Sequence, residues 1–201
     1  MHRQLSKLAM HFMVLMAVAL VLALAQTAQA NLNDLNGKEW RQITDTYGLT
    51  WNQLAQVCPQ DGVTPCAGTV NGRKLTGWVW ATENQVHQLF TLYAPTLPAT
   101  LPFDVGGPEY LQPAAQFQAA FGITQQFSGC PTYQPCFNLK YTLGWTATSD
   151  GSGLPTAANV AISLDDIWGP TAGFSLGTVA SGADTNRGAF LWRPTGLNTG
   201  K

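Results

Sequence analysis

The sequence predicts an α+β fold, with two to three short helices in the N-terminal half packed on an antiparallel β-meander in the C-terminal half. Three observations carry that expectation. Two T-x-x-Q signatures, at Thr50 with Gln53 and at Thr82 with Gln85, each open an apolar stripe of helical period. Beyond Cys136 the period of the apolar residues drops from about 3.6 to about 2. Helices come first and strands later, which separates an α+β fold from one in which they alternate.

Residues 1–30 carry the three parts of a secretory signal peptide. Arg3 and Lys7 supply the positive start. The apolar run "FMVLMAVALVLALA", Phe12 to Ala25, has the length of a signal core and is short for a membrane span of ~20 residues. In "TAQA" the small residues Ala28 and Ala30 suit a signal peptidase, so cleavage is expected between Ala30 and Asn31. The expectation is therefore a single exported α+β domain over residues 31–201, secreted or periplasmic, with no membrane insertion after signal cleavage. Its roughly 170 residues suffice to bury a self-supporting core.

A first strand is expected around Trp40 to Ile43. Thr50 then caps a helix whose stripe is Trp51, Leu54, Val57 and Cys58. In "LTGWVWA" Leu75, Gly77 and Val79 alternate with Thr76, Trp78 and Trp80, a strand pattern that puts both tryptophans on one face. Thr82 caps a second helix with Val86, Leu89, Phe90 and Tyr93 in its stripe, ending before Pro95. The stretch "APTLPATLPFDVGGP", residues 94–108, reads as a surface loop because of its prolines and glycines. A third helix is expected in "QPAAQFQAAFG", with Pro113 in its first turn and Gly122 as its stop. The meander follows: Phe137, Leu139, Tyr141, Leu143 and Trp145 alternate with Asn138, Lys140, Thr142 and Gly144, and Val160, Ile162 and Leu164 with smaller residues. "GFSLGTVA" and "RGAFLWR" complete it, with turns at "SDGSG", "DDIWGP" and "SGADTN".

The four cysteines form two short segments, "CPQDGVTPC" and "CPTYQPC". Prolines bend both, favouring the local pairs Cys58–Cys66 and Cys130–Cys136 in the oxidising compartment of an exported chain. Loops this short add about 2–3 kcal/mol each, enough to pin turns. The C-x2-C knuckles of a zinc site do not occur. Beyond residue 30 there are eight Lys and Arg against eleven Asp and Glu, and the basic residues are scattered. No basic stripe points to nucleic acid or an anionic membrane.

Four segments, "NGKEWRQITDTYGLTWNQLAQVC", "LTGWVWATENQVHQLF", "LGWTATSDGSG" and "GAFLWR", resemble the ectodomains of exported bacterial proteins of the PEP-CTERM class. "TDTYGLTW" and "TGWVWATENQVHQLF" are similar, more distantly, to the "GLTW … GWRLPT-x-x-EL" pattern of Lcl-type domains of surface adhesins. The resemblance covers most of residues 36–193; its motifs are structural signatures, and it implies an exported ectodomain with no catalytic residue to carry over. The terminal "RPTGLNTGK" departs from the class by lacking a Pro-Glu-Pro motif, apolar segment and basic tail. Release or periplasmic residence is expected in place of sorting.

Chemistry has few candidates. His87 is the one histidine beyond the signal and shares a helix face with Glu83, one turn earlier; two such groups do not make a metal or proton-transfer site, and a solvated helix face is expected. Asp150, Asp165, Asp166 and Asp184 lie in the turns of the meander. Converging, they would hold Ca²⁺ or form the acid and base of a secreted hydrolase; dispersed, they serve turns. Trp78 and Trp80, with Trp145 and Trp168, are candidates either for an aromatic ligand platform or for the core. Phosphate-binding glycine loops and the G-x-S-x-G elbow do not occur. The expectation is a non-enzymatic binding or structural module for a glycan or envelope polymer, with no cofactor.

Overall fold

A computed structural model describes residues 34–130, 136–165, 169–179 and 181–195. The signal peptide with its cleavage point, and Asp166 to Trp168 of the "DDIWGP" turn, lie outside these residues.

The three helices form where their local signals place them. In α1 (Trp51–Ala55) the Thr50 hydroxyl accepts from Gln53 N at 3.2 Å, and Gln53 Oε1 accepts from Thr50 N at 3.0 Å. In α2 (Glu83–Tyr93) Thr82 and Gln85 repeat the exchange at 3.4 and 2.9 Å. Each pair satisfies two amides that a helix start would leave orphaned. α3 (Leu111–Phe121) ends at Gly122, whose φ of 85° lies in the region glycine enters without steric cost.

The strands, in chain order, are β1 (Asp34–Leu35), β2 (Lys38–Trp40), β3 (Thr69–Val70), β4 (Arg73–Lys74), β5 (Val79–Trp80), β6 (Phe103–Gly107), β7 (Gln125–Gly129), β8 (Phe137–Ser149), β9 (Pro155–Asp165), β10 (Gly169–Thr178), β11 (Gly188–Ala189) and β12 (Leu191–Pro194). The large sheet runs β11–β8–β9–β10–β6, with β7 also paired to β8. A four-stranded sheet runs β1–β2–β12–β5, and β3–β4 form a hairpin. The helices-first, antiparallel-sheet reading thus holds.

Several elements differ from expectation. The first strand stops at Trp40, and Ile43–Thr46 forms a 3₁₀ turn. The Thr46 hydroxyl closes that turn by donating to Ile43 O (3.0 Å) while accepting from Ala189 N (2.7 Å), so a side chain replaces a ladder bond. In "LTGWVWA" only Val79 and Trp80 pair. Leu75 to Trp78 turn, with Gly77 at φ 85° and Trp78 N bonded to Leu75 O. Within the supposed surface loop of residues 94–108, Phe103 and Val105 face the core while Asp104 and Gly106 face out, and this alternation builds the edge strand β6. β7 was not foreseen. The terminal "RGAFLWR" is no further hairpin of the meander: β11 runs parallel to β8, and β12 crosses to sit between β2 and β5.

Two cores lie on opposite faces of the large sheet. On the helix side, Val160, Ile162, Phe174 and Leu176 meet Val86, Leu89 and Phe90 of α2 and Phe117 and Phe121 of α3. Phe90 stands edge-on to Phe117, Phe174 and Phe190, with centroids 5.1, 5.2 and 5.9 Å away. Such pairs add about 0.5–1.5 kcal/mol each beyond burial. On the other face, Trp145, Ala147 and Ala157 are covered by Leu49, Leu54, Leu75, Trp80 and the Cys58–Cys66 bridge. The second bridge, Cys130–Cys136, is also closed locally.

The large side chains of the first half of β8 do not face the helices. Thr142 and Gly144 do, opposite Val160 and Ala158. The reasons are local: Thr142 Oγ1 donates to Gly122 O at the end of α3, and Gln118 Nε2 of α3 donates to the Lys140 and Val160 carbonyls (2.9 and 3.1 Å). Gly144 leaves room for Phe190, whose ring would stand 2.5 Å from an added Cβ. Gly144→Ala is therefore expected to cost about 1–3 kcal/mol by overpacking. Gly106→Ala, whose Cβ would meet nothing nearer than 3.5 Å, should stay within about 0.5 kcal/mol. Chemical denaturation of the two variants checks both values.

Candidate functional site

Opposed residues of antiparallel strands share a face, so the ladder registers lay out the uncovered side of the large sheet in rows. In one row Gly106 opposes Gly173, Gly173 opposes Ala161, Ala161 opposes Tyr141, and Tyr141 opposes Gln125. Two residues along on one side run Asp104, Ser175, Asn159 and Leu143. On the other side run Thr171, Ser163, Leu139 and Phe127. A floor nearly free of side chains is thus flanked by polar rows and ends at large side chains on β8.

This arrangement forms a trench of about 410 Å³, with Asp104, Gly106, Tyr141, Ala161, Ser163 and Thr171 among its lining residues. It crosses β6, β10, β9 and β8, three strand spacings or roughly 14 Å. The flanking rows lie four residues apart along each strand, or roughly 13 Å. It stays open because the lobe built from α1 and the Cys58–Cys66 bridge covers this face only from Trp145 onward. Leu143 is already marginal at 9% exposure, and Tyr141 is half-buried.

The two glycines of the floor differ in cause. An added Cβ at Gly173 would stand 2.7 Å from Val105 O, so strand packing demands that glycine; Gly106 has no such neighbour. Tyr141 is braced by Phe127, edge-on at 6.1 Å and itself half exposed. Asp104 is the one charged side chain of the lining among the described residues. The trench thus offers a flat floor, hydroxyls on its flank, one carboxylate near its mouth and an aromatic wall. A ligand with an apolar ring face and a hydrogen-bonding rim matches that inventory.

The residues singled out by sequence lie elsewhere. Asp150 Oδ1 accepts from Ser152 N, Ser152 Oγ and Leu154 N at 2.9, 2.7 and 2.9 Å, which shapes the β8–β9 turn. Asp184 Oδ1 accepts from Asn186 N (2.8 Å), and its Oδ2 lies 3.2 Å from Arg187 Nε. Asp165 ends β9 opposite Phe137, at the far end of the strand from the turn that holds Asp150, roughly 33 Å along a ten-step rise. Asp150 and Asp165 therefore cannot share a cation, and no cluster of three His, Cys, Asp or Glu with metal-binding geometry occurs among the described residues.

Trp78 and Trp80 do not form a common platform. Trp80 is buried, and its indole N–H donates to Trp145 O at 3.2 Å. The guanidinium groups of Arg41 and Arg193 lie over the Trp78 ring, 5.4 and 4.8 Å from its centroid. Arg193 is held in turn by a two-pronged bond to Glu39 at 2.6 and 2.7 Å. Their separation follows from the turn at Gly77, which ends the alternation that would have aligned them.

Nor is His87 a free helix face. It is half-buried, its ring edge-on to Phe103 with centroids 5.5 Å apart, and Nε2 donates to Pro98 O at 2.8 Å. A carbonyl only accepts, so Nε2 carries the proton. His87 thereby fastens the loop leading into β6. The trench itself had one legible signal. In β9 the residues Asn159, Ala161 and Ser163, and in β10 Thr171, Gly173 and Ser175, are all small or polar, while their alternates are mostly large and apolar.

His87→Ala is expected to cost about 1 kcal/mol, from the lost bond and the unpaired Pro98 carbonyl; the denaturation midpoint measures it. The Ser152 hydroxyl and the Leu154 amide hold the Asp150 carboxyl below its ordinary range, overcoming its desolvation. A depressed carboxyl contributes stability fully above its unfolded pKa and loses it as pH falls through the lower folded value. NMR titration should place the Asp150 midpoint below that of an unstructured peptide of the same sequence.

No family model, no curated protein and no solved structure matches this chain.

Proposed function

We propose that this chain is an exported, non-enzymatic binding module, secreted or periplasmic, whose mature form begins at Asn31 and whose ligand surface is the trench. Its ligand is a glycan or envelope polymer. The observation that carries the reading is the row Gly106, Gly173, Ala161, with polar rows on both sides and Tyr141 at its end. A pyranose ring has an apolar face bordered by hydroxyls. The bare floor admits such a ring against the sheet, Ser163, Thr171 and Asp104 meet its rim, and Tyr141 packs on an apolar face. Two closed disulfides are compatible with an oxidising compartment outside the cytoplasm. No helix among the described residues is long and apolar enough to cross a membrane. The adhesin-like resemblance of the sequence points the same way.

The test is binding of the purified exported protein to a panel of glycans and envelope polymers, with wild type set beside Ala161→Leu. Leucine at 161 fills the floor from a position whose side chain points outward, so binding should fall at least tenfold while the denaturation midpoint moves little. Undiminished binding by Ala161→Leu would remove the trench from consideration.

A further inference from the structure

Resting on the reading above, the geometry points to a more specific ligand: we infer that the trench takes the end of a neutral polysaccharide chain, not its interior. Its two ends across the strands are unlike. At one end β6 is the edge of the sheet, with β10 as its one ladder partner among the described residues, and the floor there, at Gly106, is exposed. At the other end the lining stops at Leu139 and Tyr141 of β8. That end is a fixed wall. Strand β8 is paired on both sides there, by β9 and β7, and the Phe127 ring on β7 props Tyr141 from behind.

The side toward Leu143 is closed as well, since the lobe over Trp145 begins there. A chain lying across the strands thus enters over β6 and meets a wall at Tyr141. The bare floor of Gly106, Gly173 and Ala161 is two strand spacings long, roughly 10 Å, enough for a short terminal segment. An interior segment would need an exit beyond Tyr141, where Phe127 and Gln125 stand. Charge narrows the class further. The one carboxylate of the lining among the described residues, Asp104, lies on the edge strand where the chain enters, so acidic polymers are repelled at the mouth and neutral ones admitted.

The probes are neutral β-linked oligosaccharides of the cellulose and chitin types, two to six units long, and the insoluble parent polymers before and after partial fragmentation. Affinity should rise to two or three units and then level off. Bound protein per mass of polymer should rise in proportion to the number of chain ends that fragmentation creates. Tyr141→Ala should lose at least tenfold in affinity for the trimer and Tyr141→Phe should retain it, which separates the aromatic wall from a folding defect. Binding per mass that is unchanged by fragmentation, or affinity still climbing through six units, would overturn end recognition while leaving a glycan-binding module in place. Binding to none of these probes, or to acidic polymers instead, would overturn the neutral-chain inference. If the wider panel of glycans and envelope polymers were also silent, the binding reading itself would fall.

Discussion

The molecule depends on a break in one ladder. Between Trp145 and Ser149 the register of β8 against β9 shifts, and the backbone groups there bond instead to the N-terminal half and to Phe190. Trp145 O accepts both the Trp80 indole (3.2 Å) and Phe190 N (3.1 Å). Thr146 O accepts the Trp51 indole (3.0 Å), and Ala147 N donates to Ala81 O (2.7 Å). The Trp145 indole returns the exchange by donating to Leu49 O at 3.1 Å. Each group left unpaired in this buried place would cost about 1–3 kcal/mol. The irregularity therefore sets where the lobe around α1 docks and in what orientation. That placement in turn decides how much of the sheet stays uncovered.

The tryptophans show why their number in this sequence is no guide to a binding platform. Trp51, Trp80 and Trp145 each place an apolar body in the second core and spend one N–H on a specific carbonyl, so they serve as packing and as connectors between segments far apart in the chain. Trp78 is in contact with two arginines, Arg41 and Arg193. Among the described residues the aromatic side chain that lines the open trench is Tyr141, braced by Phe127, on strands whose composition drew less notice.

Legibility tracked the range over which each signal acts. Both capping boxes close within four residues, and both were readable because Thr and Gln need nothing from the rest of the chain. The same holds for the disulfides, which close loops of eight and six residues' separation. Strand β6 was hidden because Pro98 and Pro102 mark a loop, while the alternation of Phe103 and Val105 is too short to outweigh them. The facing of β8 was hidden for a different reason: period shows that a strand has two faces, but Gln118 and Phe190, which make the polar face the buried one, come from elsewhere in the chain. The trench is the extreme case. Its floor joins residues 106, 173 and 161, and only the pairing order of three strands makes them neighbours.

The crossing of β12 has a consequence for the order in which the structure is completed. A chain made from its N-terminus presents β2 and β5 early, yet the strand that lies between them and bonds to both arrives at residues 191–194. Until then the smaller sheet has a gap at its centre, and Phe190 and Leu191, one for each core, are missing too. Contacts of such sequence separation delay closure, so the smaller sheet and both cores are completed only once residues 190–194 have joined segments more than a hundred positions earlier.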